Sequence, residues 1–201
     1  MRCRAERGYT LVALLALMSI LVIVAMSAAP RLRQQTQREL EKEAIARGEE
    51  VAEAIALYTR IKGAPPTEMQ QLLDGVDVGI KKVHILRASA ARDPLTKSGE
   101  WKLVHQNDRA FREFIDRVLK YTNGVAPETR EAAFKQYVPQ ISGLSDLNKE
   151  DTEQAECGED SEANTSGGPM IGVVSRSRCA SVITYYGIER HDLWVFTPVF
   201  R

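Results

Sequence analysis

The sequence predicts an α+β protein, in which one long N-terminal helix packs on a small antiparallel sheet and a helical insertion interrupts the sheet region. Three observations predict it. Tyr9–Ala29 contains no Asp, Glu, Lys, Arg or His. Apolar residues then recur at spacings of three and four as far as Lys62, the mark of an amphipathic helix. Toward the C-terminus, short apolar or alternating runs stand between turn residues, the mark of strands.

The first element is a membrane span. Its 21 residues, as a helix, reach about 31 Å, matching a hydrocarbon core of about 30 Å. Ten of them are Leu, Ile or Val, which together favour the bilayer by roughly 3–6 kcal/mol. Thr10, Ser19 and Ser27 are hydroxyls able to bond back to the preceding turn. Arg2, Arg4 and Arg7 precede the span against Glu6 alone. That charge holds the N-terminus in the cytoplasm and places everything after Pro30 on the other side, although Arg31 and Arg33 compete. A cleavable secretory signal is the rival reading, since Ser27-Ala28-Ala29 supplies small residues. The apolar run is long for one, and Pro30 would directly follow the cut.

The amphipathic half, residues 30–62, carries its apolar stripe at Leu40, Ala44, Ile45, Gly48, Val51, Ala52, Ile55 and Ala56. Glu39, Glu41, Lys42, Arg47, Glu49, Glu50 and Glu53 fall on the opposite, polar face. Gly63 and then Pro65-Pro66 stop the helix. Thr67-Glu68-Met69-Gln70 reads as a capping box opening a short helix that ends at Gly75. Lys81-Lys82 reads as a solvated loop. Asp93-Pro94-Leu95-Thr96 is a turn leading into an alternating strand, Glu100–Val104. Three further strands are expected at Met170–Val174, Ser181–Tyr186 and Leu193–Phe200, with Tyr186-Gly187 turning between the last two. This sheet needs a cover, and the helix stripe is the one available.

Residues 105–143 form the helical insertion. Asp108–Tyr121 places Phe111, Phe114, Ile115, Val118 and Leu119 on one side, and Pro127–Tyr137 is a second helix with proline in its first turn. Extra core is its expected role, a partner surface the other. An acidic, flexible loop over 144–168 follows, with Asp146, Glu150, Asp151, Glu153, Glu156, Glu159, Asp160 and Glu162 opposed by Lys149 alone. Its end, Asn164–Gly168, has linker composition.

Of the three cysteines, Cys157 and Cys179 both lie beyond the span in a compartment that permits oxidation. They are candidates for a disulfide across their 22-residue separation. No further ligands stand at zinc spacing. His84, His105 and His191 are scattered outside any nucleophile, metal or phosphate motif, and Ser175-Arg176-Ser177-Arg178 lacks nucleophile-elbow glycines. The expectation is therefore no catalytic residues and no enzyme. Zero net charge, without a clustered basic face, argues against nucleic acid.

The residues Arg7-Gly8-Tyr9-Thr10-Leu11-Val12 at the mouth of the span resemble the type IV prepilin family, whose members carry a short basic leader ending in Gly, then an aromatic, Thr, Leu and an aliphatic run. The resemblance implies a cytoplasmic leader over 1–8, cleavage after Gly8 by a prepilin peptidase and N-methylation of Tyr9. Pro30 stands where the family commonly bends its helix, which a proline does by ring clash and loss of its N–H. Pro66-Thr67 with Leu72-Leu73, and Asp93–Thr96 followed by Glu100–Val104, resemble major pseudopilins of type II secretion. Ala13 departs from the pattern: most members have Glu there, a costly intramembrane carboxylate kept for the terminal amine of a neighbouring subunit. Tip-type minor pseudopilins also lack it.

What the resemblance implies is a pilin-like structural subunit of a type II secretion pseudopilus or type IV pilus-like filament, of minor or tip type. It would sit in the inner membrane with a periplasmic head over 63–201. Its partners would be other pilin or pseudopilin subunits, the prepilin peptidase and the inner-membrane assembly machinery. Major pseudopilins hold calcium in a C-terminal loop, and Asp146-x-Asn148-x-Glu150 has alternating ligands but not the following Gly of a compact calcium loop. A solvated loop without a metal or other cofactor is the expectation. The alternative function is a membrane-anchored periplasmic binding or adhesion module that does not polymerise.

Overall fold

The computed structural model describes residues 6–106, 108–125, 127, 129, 132–137, 157–161 and 168–200, apart from the side chains of 6–8, 25, 27–32 and 137. The protein is α+β, with small antiparallel sheets. It divides into two compact units, Met1–Glu39 and Leu40–Arg201. Helix α1, Glu6–Lys62, runs 57 residues and contributes to both.

In the first unit, the aliphatic side chains from Leu11 to Val24 are exposed on every side of the helix, as are Tyr9 and Met26. Ser19 Oγ donates to the carbonyl of Leu15 at 2.9 Å, which satisfies the hydroxyl within its own helix. Among the described residues no helix is long and apolar enough to cross a membrane. The span expected at Tyr9–Ala29 includes the side chains of Ala25 and of 27–29, which lie outside the described residues. Of the leader expected over 1–8, residues 1–5 and the side chains of 6–8 lie outside them too, as does the Pro30 side chain.

In the second unit, α1 buries Glu41, Ala44, Gly48, Val51, Ala52, Ala54, Ile55 and Thr59, most of them spaced by three and four so that they form one stripe. The predicted stripe is recovered at Ala44, Gly48, Val51, Ala52 and Ile55, while Ile45 and Ala56 are only half-buried. Glu41, read as polar-face, is wholly buried, while Leu40 is 39% exposed. Gly48 is there because of what lies above it. A Cβ at this position would meet the Phe196 ring at 2.2 Å, so the missing side chain lets the aromatic ring rest on the helix backbone.

Helix α2, Met69–Asp74, forms where expected, but its cap differs. Glu68 is the N-cap and makes no side-chain cap bond. Instead Gln71 closes on Thr67, with its Oε1 accepting from the Thr67 N–H at 3.0 Å and its Nε2 donating to Thr67 Oγ1 at 3.0 Å. The capping box expected over Thr67–Gln70 is therefore not formed: Thr67 stands before the N-cap, its hydroxyl meets the Gln71 side chain and not a helix N–H, and Gln71 takes the place expected of Gln70. Strands β1, Val76–Val78, and β2, Lys81–Val83, then pair as an antiparallel hairpin. Lys81 and Lys82 are therefore strand residues, solvated as expected but not in a loop.

Strand β3, Lys102–His105, pairs antiparallel with β4, Met170–Val174. All five β4 residues are buried, as an unbroken apolar run implies for a strand covered on both faces. The C-terminal segment flanks β4, with Val173 and Phe196 exchanging backbone hydrogen bonds at 3.0 and 2.8 Å. Leu193–Phe200 was expected to be a strand and is not one. His191–Leu193 makes a 3-10 turn, Phe196 forms an isolated bridge, and Pro198 has no N–H to continue a ladder. The segment is buried by packing, and Thr197 Oγ1 donates to the Ile171 carbonyl at 2.7 Å.

Strand β5, Ala180–Tyr185, pairs with β6, Ile188–Arg190, through the expected Tyr186-Gly187 turn, where both residues have positive φ. Helix α3, Arg109–Tyr121, buries Phe111, Phe114, Ile115 and Val118. The second insertion helix, expected over Pro127–Tyr137, is shorter and tighter: Pro127 and Thr129 lie outside any helix, and Ala132–Tyr137 is a six-residue 3-10 stretch with Phe134 buried. These aromatics join the same core as α1 and β4, and Phe114 packs against Tyr185, Tyr186 and Phe200. Each such buried side chain contributes about 1.5–3 kcal/mol, so the insertion supplies core to the head.

Candidate functional site

The residues singled out by sequence fall into two places. At the start of α1, Tyr9 is 78% exposed and Ala13 is also exposed. Gly8 is helical, and its surroundings lie outside the described residues. Ala13 presents a methyl group and no ionisable one, so this position can neither attract nor neutralise an amine.

In the second unit, Cys157 and Cys179 are joined in a disulfide with their Cα atoms 4.2 Å apart. The bond is one stitch in a seam. Residues 158–160 lie beside 176–178, with Asp160 N–H donating to the Arg176 carbonyl and Arg178 N–H to the Gly158 carbonyl, both at 2.8 Å. Asp160 also takes Lys102 Nζ at 2.7 Å and Arg178 Nη2 at 3.2 Å, and Glu159 Oε1 accepts the Lys97 N–H at 2.5 Å. Two of the acidic residues are thus occupied by hydrogen-bond donors of the head itself. Asp146, Asn148, Glu150, Asp151, Glu153, Glu156 and Glu162, and with them the calcium motif, lie outside the described residues. Among the described residues no group of three or more His, Cys, Asp or Glu could hold a metal ion.

The most unusual arrangement is one that sequence reasoning missed. Glu41, 0% exposed, reaches from α1 to β5, where its carboxylate accepts the N–H groups of Val182 (2.9 and 3.0 Å) and Ile183 (2.9 Å). Its Oε1 also lies 3.0 Å from His191 Nε2. The other imidazole nitrogen, Nδ1, is 3.1 Å from Ser177 Oγ. Ser177 N–H donates to Ser175 Oγ at 3.1 Å, and Ser175 Oγ donates to Asp93 Oδ2 at 2.7 Å. Two carboxylates therefore close the ends of a buried row with one imidazole inside it. Burial pushes the Asp93 carboxyl above its usual range, while bonds from Ser175 Oγ and the Leu95 and Arg176 N–H groups, and the nearby His191, pull it down.

Ser177, His191 and Glu41 stand in the order nucleophile, base and orienting acid. A nucleophile must meet its substrate, however, and Ser177 is 4% exposed. A cleft of about 480 Å³ opens elsewhere, lined by Glu50, Leu73, His84, Ile85, Leu86, Arg87 and Ala88. There Arg87 holds Glu50 through its Nε at 2.8 Å and also through Nη2, which keeps the Glu50 carboxyl below its usual range. What the row does chemically is to satisfy backbone N–H groups and hold α1, β5, the 3-10 turn, residues 175–177 and the turn at Asp93 together. A signal for Glu41 was present in the sequence: it continues the 44, 48, 51, 55 spacing one step toward the N-terminus. His191 and Asp93 had no local signal.

No known family model matches the chain, and no curated protein or solved structure matches it.

Proposed function

We propose that this chain is a pilin-like structural subunit of a type II secretion pseudopilus or type IV pilus-like filament, of minor or tip type, and not an enzyme. In this reading it is made as a precursor, cut after Gly8 by a prepilin peptidase and methylated on Tyr9. The observation that carries the reading is the change of character along one continuous helix. From Tyr9 to Val24 the aliphatic side chains of α1 are exposed all round, and from Glu41 to Thr59 the same helix forms a core face of an α+β head. A helix apolar on every face is stable only in lipid or among other apolar helices. A subunit that waits in the inner membrane and then moves into a filament core needs both environments in turn. The head would stand in the periplasm and face outward from the filament.

Ala13 favours the minor or tip position, because a subunit with nothing above it has no amine to pair. A membrane-anchored binding or adhesion module that does not polymerise is the second reading, favoured by the same Ala13. Replacing Gly8 with a bulky residue tests processing: full-length protein should accumulate in the membrane, and normal maturation would contradict the proposal. Introducing Ala13→Glu separates the two readings. Greater incorporation into filaments supports the subunit, and no incorporation of either form supports the module.

A further inference from the structure

We propose that the tip of the β1–β2 hairpin is a lipid-contacting element, which seats Ile80 at the acyl boundary of an anionic phospholipid surface with Lys81 among the headgroup phosphates. The proposal rests on the membrane anchor that both readings of the function share, because a contact this small forms only in a chain already held at a bilayer.

The hairpin is fixed at its base and bare at its end. Val76 is wholly buried, and a Cβ on Gly75 would meet the Val83 carbonyl oxygen at 2.5 Å. Beyond that base Val83 is 42% exposed, Val78 50%, and Ile80 entirely. The register Val76↔Val83 and Val78↔Lys81 puts the three valines and Lys81 on one face, with Asp77 and Lys82 on the other. Gly79 takes the positive φ of the turn, but turn chemistry does not call for isoleucine beside it, where Gly, Asn, Asp and Ser are usual. Single exposed apolar residues are ordinary. Three of them leading to a wholly exposed tip make a patch with a use.

Size and charge name the occupant. A specific protein interface takes about 20–30 residues a side, and residues 76–83 are eight. A bilayer sets no such minimum. An apolar side chain enters the acyl boundary, while a neighbouring lysine lays its stem along that surface and keeps its ammonium among the phosphates. Lys81 and Lys82 are both exposed, and Asp77 stands opposite Lys82. The cation left to attract anionic lipid is therefore Lys81, the one on the apolar face. Because α1 runs through both units, an anchored chain presents its hairpin to lipid at high effective concentration.

The full chain carrying Ile80→Trp should be reconstituted in phosphatidylcholine vesicles with and without phosphatidylglycerol, with bromine on the acyl chains as a contact quencher. Trp101 and Trp194 are buried, and the unaltered chain gives their background. Flotation is scored first: a chain that does not float with the vesicles overturns the membrane anchor and the proposal with it. In the floating chain, the added indole should be quenched and its emission blue-shifted where phosphatidylglycerol is present. Combining Ile80→Trp with Lys81→Gln should lower the ratio of inserted to free tip about fivefold, the effect of one cation near an anionic surface. A floating chain whose added indole is quenched no more than the buried tryptophans overturns the proposal alone and gives the tip to a protein partner. Quenching that ignores both Lys81 and the anionic lipid would overturn it as well.

Discussion

His191 Nε2 lies 3.0 Å from Glu41 Oε1, joining side chains 150 positions apart in a site where neither is more than 1% exposed. The contact, together with the two β5 amides on the same carboxylate, ties the C-terminal hairpin to the N-terminal helix. Glu41→Ala should therefore cost about 3–5 kcal/mol, because it leaves buried donors without an acceptor. Glu41→Gln, which keeps one acceptor oxygen, should cost less. Urea unfolding of the detergent-solubilised chain, read as the midpoint shift, gives both numbers.

Gly48 offers a test by sign. In an open helix, Gly→Ala stabilises by about 1 kcal/mol. Here the new methyl would meet the Phe196 ring, and overpacking typically costs about 1–3 kcal/mol. Gly48→Ala should destabilise, and adding Phe196→Leu should recover part of the loss. A thermal melt of the single and double variants decides it.

Breaking the Cys157–Cys179 bond should lower stability by about 3 kcal/mol in the chain-entropy view. The check is the unfolding midpoint of Cys157→Ser with Cys179→Ser against the parent. A thiol assay on unreduced mature protein should find neither cysteine reactive.

Asp93 gives a pH dependence with a definite sign. Its folded carboxyl titrates above the ordinary value of 3.8 because burial disfavours the anion. The contribution of such a group is fully present below its unfolded value and is lost as pH rises through the folded one. Stability should accordingly fall as pH climbs from about 4, and Asp93→Asn should remove that part of the fall. Midpoints measured in steps across the acidic range for both chains provide the comparison.

Much of the head was legible because periodicity survives burial. The α1 stripe, α3 and the wholly apolar β4 follow from spacing and run length alone. Leu193–Phe200 was misread because a continuous apolar run looks the same in a buried strand and in a buried irregular segment, and Pro198 was the discriminating residue. Glu41 was misplaced because residue type outweighed helical phase: a carboxylate can hold a core position when a partner distant in sequence, here His191, completes it. Such partners leave no trace in local pattern. Cys157 and Cys179 were readable as a pair because chemistry, and not spacing, links them.

The central claim concerns the N-terminus, and mass spectrometry of the N-terminal peptide from protein extracted from its native membrane tests it most directly. The account predicts a chain beginning at N-methylated Tyr9. A chain beginning near Pro30, as an ordinary secretory signal would leave, or one retaining an intact Met1, would contradict it.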